Sequence, residues 1–152
     1  MYCLDASVLT NSQMEHEEFH EYSKKLMGII KDKGITVFIP EIALPEIASA
    51  LARGTDDTKN ALAFVNVLKL LPDFVFIPVD RELADLASRL AAEYRLRGCD
   101  AVYVAVASLF NTKSISLDKQ QRERASNCID ALTPQEELGN LYDDSFNNNN
   151  DA

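Results

Sequence analysis

CDAVYVAVASLFNTKSISLD, from Cys99 to Asp118, is the stretch on which the fold turns. Asp100 to Asn111 is so apolar that it must lie in a core whatever its period. Its length and its leading aspartate favour a helix over a strand. Ser114 to Leu117 then reads as a strand that stops at Asp118. A buried helix running into a buried strand is one unit of an α/β sheet.

The same alternation continues in both directions. Tyr2 to Leu4 is a short apolar run that reads as a first strand ending at Asp5. Ser12 to Lys33 has helical composition and is stopped by Gly34. Ile35 to Ile39 (ITVFI), between Gly34 and Pro40, is a buried strand. Glu41 to Arg53 is helical, with Pro45 starting or kinking it, and Thr58 to Leu71 is a second apolar-faced helix. Phe74 to Val79 is a strand whose Pro78 marks its end or an edge position. Asp80 to Arg97 is an amphipathic helix for which Gly98 supplies a C-cap. Cys128 to Leu132 reads as a fifth, short strand. Thr133-Pro134-Gln135-Glu136 then carries a capping box with proline at the first helical position. The pattern predicts a mostly parallel central sheet of four to five strands flanked by helices, over residues 1–140. Residues 141–152, ending DDSFNNNNDA, read as an acidic, Asn-rich, disordered tail.

Bulk composition narrows the class. The 152 residues suffice for one domain with a core, and no apolar run approaches the roughly 20 residues of a membrane span. MYCLDASVLTN lacks the basic opening of a signal peptide, so a cytoplasmic location is expected. Cys3, Cys99 and Cys128 match no zinc spacing and are expected to be three buried thiols, a Cys3–Cys99 bridge staying open. The net charge of −9 argues against nonspecific coating of nucleic acid. It falls to −4 once the five acids from Thr133 onward are set aside, which leaves room for a basic lip. Arg53, Lys59, Arg95, Arg97, Lys113, Lys119, Arg122 and Arg124 are its candidates.

The carboxylates that end apolar runs carry the chemistry. Asp5 and Asp118 each follow a strand, and in parallel α/β sheets ligands bind beyond the carboxyl ends of strands. Asp100 opens the most apolar helix, and Glu46 stands in an apolar one. Each has a plainer job available: a cap for Asp5 or Asp100, an Asx-turn for Asp118, a solvent face for Glu46. Few basic residues lie near them in sequence. Carboxylates gathered without counter-charges take up protons or hold a cation, and hard oxygen ligands suit Mg²⁺ or Mn²⁺.

These motifs, in this order, resemble a PIN domain, and within that class the VapC-type toxin ribonucleases. LDASVL at Leu4 to Leu9 is similar to the family's first-strand aspartate with a Ser or Thr two residues later. IPEIALPEIASALAR at Ile39 to Arg53 is similar to its second-acid helix, with Glu46 at the acid position and Glu41 as the rival. The Cys99 to Asp118 stretch is similar to its Asp-Ala helix and T/S-x-D strand, and ALTPQEEL at Ala131 to Leu138 to its closing strand and helix. The resemblance covers residues 1 to about 140.

It implies an acidic cluster of Asp5, Glu46, Asp100 and Asp118, with Ser7 and Ser116 in support. It further implies Mg²⁺ or Mn²⁺ as cofactor, cleavage of single-stranded RNA, a small antitoxin protein as partner, and a homodimer. Where many relatives have a further acid after the fourth aspartate, this chain has Lys119-Gln120-Gln121, which favours one metal site over two. Two rivals remain: a PIN-fold binding protein without nuclease activity, and another Mg²⁺-dependent phosphoryl hydrolase. The dehalogenase-type version of the latter wants an aspartate where this chain has Ser7.

Overall fold

Tyr2 and Cys3 point to opposite sides of one strand, and both sides are covered. The Tyr2 hydroxyl reaches Glu137 near the C-terminus, while the Cys3 thiol faces the Tyr103 carbonyl. Burial on both faces is what a parallel sheet wrapped by helices imposes on its central strand. A computed structural model describes residues 1–148. Its five strands, β1 (Tyr2–Leu4), β2 (Val37–Pro40), β3 (Phe74–Ile77), β4 (Lys113–Ile115) and β5 (Ala131–Leu132), pair in the order β3-β2-β1-β4-β5. Every pairing is parallel. Eight helices among the described residues connect and cover them: α1 (Ala6–Asn11), α2 (His20–Lys33), α3 (Ala43–Thr55), α4 (Thr58–Leu68), α5 (Arg81–Tyr94), α6 (Gly98–Leu109), α7 (Lys119–Ala125) and α8 (Pro134–Asn148). The α/β parallel sheet read from the sequence is therefore present.

The sheet's direction of growth reverses at β1. The chain steps outward through β2 to β3, then returns to place β4 and β5 on the other side. The carboxyl ends of β1 and β4 thus flank the switch point, where such sheets open a crevice. α6 lies over β1, β2 and β4 with Ala101 through Ala107 all buried, which is why that segment is apolar all round.

Several boundaries differ from the sequence expectation, each for a local reason. The helix expected from Ser12 begins at His20. Ser12 Oγ donates to the Leu9 carbonyl, and Asn11 Nδ2 donates to Glu17 and to the Glu18 carbonyl. These side-chain bonds compete with helix, and Phe19 takes a left-handed φ of 69°. Gly98 is not the C-cap of α5. Arg95 ends that helix in the left-handed conformation, Leu96 anchors in the core, and Gly98 opens α6. Cys128 is turned back by a bond to the Ala125 carbonyl instead of joining β5, which is confined to Ala131–Leu132. Pro45 sits in the first turn of α3, where its missing N–H costs nothing, and β3 stops before Pro78 at the sheet edge.

The capping box forms as read: Thr133 N donates to Glu136 Oε2 at 2.7 Å, and Glu136 N to Thr133 Oγ1 at 3.1 Å. α8 continues through Asn148, into the stretch read as a tail, and residues 149–152 lie outside the described residues. The three cysteines are free, and only Cys3 is buried; Cys99 and Cys128 are exposed, contrary to the expectation of three buried thiols. Among the described residues no helix is long and apolar enough to cross a membrane.

Candidate active site

β1 delivers Asp5 to the switch point and α1 fixes it there. Asp5 is the N-cap of α1, and its Oδ1 accepts from Ser7 N at 2.8 Å. Capping α1 leaves Asp5 lining the cleft, so the cap reading does not exclude the other. Ser7 does a second job: its Oγ accepts from Leu117 N at 3.1 Å, tying the end of β1 to the end of β4.

Asp118 is placed by an analogous device. It is the N-cap of α7, its Oδ1 accepting from Gln121 N at 2.9 Å. Its own N–H donates to Ser116 Oγ at 3.0 Å, and that hydroxyl donates onward to Gln121 Oε1 at 2.7 Å. Ser116 is buried, so its hydrogen bonds are fully sheltered from water. Asp100 lies in the first turn of α6 and is not its cap, since Arg97 holds that position. Glu46, half-buried in the first turn of α3, accepts a 2.5 Å hydrogen bond from the Tyr103 hydroxyl. Glu41, its rival, is exposed.

All four acids line one cleft of about 640 Å³, together with Ser7, Arg53, Arg97, Tyr103 and Gln121. Their electrostatics diverge. Burial pushes the Asp5 carboxyl above its ordinary range, with the Glu46 charge adding to it and bonds from Ser7 and Gln121 opposing. Partial burial acts the same way on Asp118 but is outweighed by the Gln121 N–H and by Arg97, so that carboxyl is lowered. Burial first, then the charges of Asp5 and Glu46, push the Tyr103 phenol far up, so it remains a hydrogen-bond donor.

The expectation that these acids lack counter-charges is corrected here. Arg97 Nε donates to Asp100 Oδ2 at 2.7 Å and its Nη2 to Asp100 Oδ1 at 3.3 Å, while Nη2 also pairs with Asp118 Oδ2. Arg53 stands on the α3 wall with its guanidinium on Ser49 Oγ at 2.5 Å. Of the expected basic lip, Arg53 and Arg97 line the cleft. Lys113, Lys119, Arg122 and Arg124 are engaged elsewhere, with Glu137, Glu123, the Ser116 carbonyl and the Arg95 carbonyl.

Sequence reasoning missed Tyr103 and Gln121. Tyr103 is three residues past Asp100 and so on its helical face, which was a usable signal. Gln121 was legible as the partner of an Asp118 N-cap, three residues on.

The donor set fits a hard divalent cation by chemistry: oxygen ligands only, four carboxylates facing one cleft, one of them raised by burial and a neighbouring charge. As the side chains stand, no three Asp, Glu, His or Cys among the described residues are grouped closely enough to hold an ion.

The fold is that of several solved structures at low sequence identity. VapC20 of Mycobacterium tuberculosis, described as a sarcin-ricin loop cleaving toxin, superposes with a TM-score of 0.69 at 16% identity, over 85% of this chain and 96% of that one. A chain of VapBC2 from Rickettsia felis, bound to a DNA fragment from its promoter, gives 0.65 at 13% identity, covering 87% and 97%. PAE2754 from Pyrobaculum aerophilum gives 0.64 at 21%, covering 93% and 88%. No curated protein matches the chain by sequence. The family model described as PIN domain matches residues 2–127. With that match across most of its length and the fold shared with toxin–antitoxin structures, the chain belongs to the PIN domain family.

Proposed function

We propose that this protein is a Mg²⁺- or Mn²⁺-dependent endoribonuclease acting on single-stranded RNA, the toxin of a toxin–antitoxin pair. The observation that carries the reading is the convergence of Asp5, Glu46, Asp100 and Asp118, from four separate elements, on the cleft at the switch point. Asp5, Asp100 and Asp118, with Glu46, are the residues that would hold the ion. When bound, the ion supplies an activated water and charge stabilisation on the leaving oxygen of a phosphodiester.

The chain's own residues do the positioning. Ser7 holds Asp5 through its N–H and ties β1 to β4 through its hydroxyl. Ser116 and Gln121 fix Asp118 in the same way. Tyr103 orients Glu46 by its short hydrogen bond. Arg53, on the open wall, is placed to meet a phosphate of an unpaired backbone, which enters a crevice that a duplex does not. A cytoplasmic homodimer restrained by a small antitoxin protein completes the proposal.

One observation favours a second reading, a PIN-fold binding protein without nuclease activity: Arg97 already ion-pairs with two of the acids. Cleavage of a mixed-sequence single-stranded RNA with Mn²⁺ or Mg²⁺ separates the two, run beside the double variant Asp5→Asn, Asp100→Asn. The nuclease reading expects cleavage by the wild type that EDTA and the double variant abolish. Equal activity in both proteins, or none in the wild type with either metal, sinks it.

A further inference from the structure

One cation already stands among the acids of the cleft, and it belongs to the chain. Arg97 occupies the extended N-cap position of α6, and its guanidinium bridges Asp100, from the first turn of that helix, and Asp118, from the end of β4. We infer that Arg97 and a divalent cation compete for Asp100 and Asp118, so that metal enters only as the guanidinium leaves. The inference rests on the metal-dependent reading above.

Three features of the geometry support it. Both oxygens of Asp100 accept from Arg97, and the oxygens of Asp118 are divided between Arg97 and the Gln121 N–H. An ion approaching these acids therefore meets a guanidinium in contact with them, a like charge whose repulsion is strong at such distances. Second, the Arg97 side chain is 57% exposed and sits on the short connection between α5 and α6. It swings into water without opening the core, while Asp100 and Asp118 are only 13% and 31% exposed, so the pairing is reversible without being negligible. Third, the pairing is selective. Among the described residues no other lysine or arginine is ion-paired with any of the four acids; Arg53 shares the cleft but rests on Ser49.

Competition of this kind gives the site two states. In one Arg97 offsets part of the negative charge of Asp100 and Asp118. In the other the metal's two charges take that place, and the guanidinium is free.

The test is Mn²⁺ binding by calorimetry to the full chain, without RNA, in wild type, Arg97→Ala, Arg97→Lys and Arg53→Ala. Competition predicts that Arg97→Ala binds Mn²⁺ about tenfold tighter or more, the scale of losing charge-assisted bonds to two carboxylates. Arg97→Lys, a point charge without the fork, falls between. Arg53→Ala stays within about twofold of wild type, because Arg53 does not touch the acids. A second readout needs no variant: titration of the wild type with Mg²⁺ shifts the Arg97 Nε–H resonance toward that of a solvent-exposed guanidinium. Equal Mn²⁺ affinity in wild type and Arg97→Ala overturns the inference alone. So does an equal gain in Arg53→Ala, which would reflect cleft charge in general, or an Arg97 resonance unmoved at saturating metal. Absence of Mn²⁺ binding in all four proteins overturns the metal reading, and the inference with it.

Discussion

The Tyr103 hydroxyl donates to Glu46 Oε2 at 2.5 Å, joining the helix that crosses the sheet to the helix that walls the cleft. Glu46 is held by a side chain from a different helix, so its position depends on how α3 and α6 sit together. Replacing Tyr103 by Phe keeps the ring in the core and removes only the donor. Chemical denaturation should show a loss of about 1–2 kcal/mol, from a buried hydrogen bond with a charged acceptor. RNA cleavage should fall several-fold with the protein still folded.

Asp5→Asn should stabilise the protein while abolishing cleavage. The folded-state carboxyl is raised above its unfolded value, chiefly by burial, so the native state binds the proton more tightly. Stability then falls as pH rises from the ordinary aspartate range to the raised folded value, and stays lower above it. Asparagine keeps an acceptor for Ser7 N without the charge. At pH 7 the variant should gain roughly 1 kcal/mol in urea unfolding, an advantage that shrinks as the solution is acidified.

Asp118 should behave in the opposite sense. Partial burial would raise it, but the Gln121 N–H and Arg97 prevail and its folded-state carboxyl is lowered. Its contribution is therefore present above the unfolded aspartate range and lost as pH falls through the depressed folded value. Asp118→Asn should cost only about 0.5–1 kcal/mol at pH 7, since the ion pair is partly exposed and asparagine still caps α7. Thermal melts of wild type and variant should converge in acid.

Glu137→Gln should be the costliest of these changes. Glu137 is buried at 1% exposure and accepts from the Tyr2 hydroxyl at 2.6 Å and from Lys113 Nζ at 2.9 Å. The amide loses the ion pair and turns one acceptor into a donor, for a loss of about 1–3 kcal/mol in equilibrium unfolding. Lys113 is itself 36% exposed and turns to water, which holds the loss below that of a fully buried pair.

What the sequence made legible was whatever local chemistry dictates. The Thr133–Glu136 box, the apolar helix after Cys99 and the strand ends at Asp5 and Asp118 each follow from neighbouring residues. What it hid depends on distant contacts. Ala6–Asn11 lies between the strand expected to end at Asp5 and the helix expected from Ser12; it is a helix because Asp5 caps it and the core buries it. Arg97 was one of eight basic candidates, and nothing near it in sequence reveals that its second partner lies 21 residues away. Lys119-Gln120-Gln121 registered as a missing acid, whereas Gln121 proved to be a buried partner of Ser116 and Asp118.

The order β3-β2-β1-β4-β5 also has a consequence for how the chain is made. β1 is synthesised first, yet one of its two neighbours is β4, whose residues follow more than a hundred positions later. Until then the central strand has one unpaired side, and pairings of such sequence separation are slow to form. Asp5 and Asp118 lie on either side of that seam. A ribosome-bound chain has no complete cleft around Asp5 until β4 has been made, and the acidic site forms only with that long-range pairing.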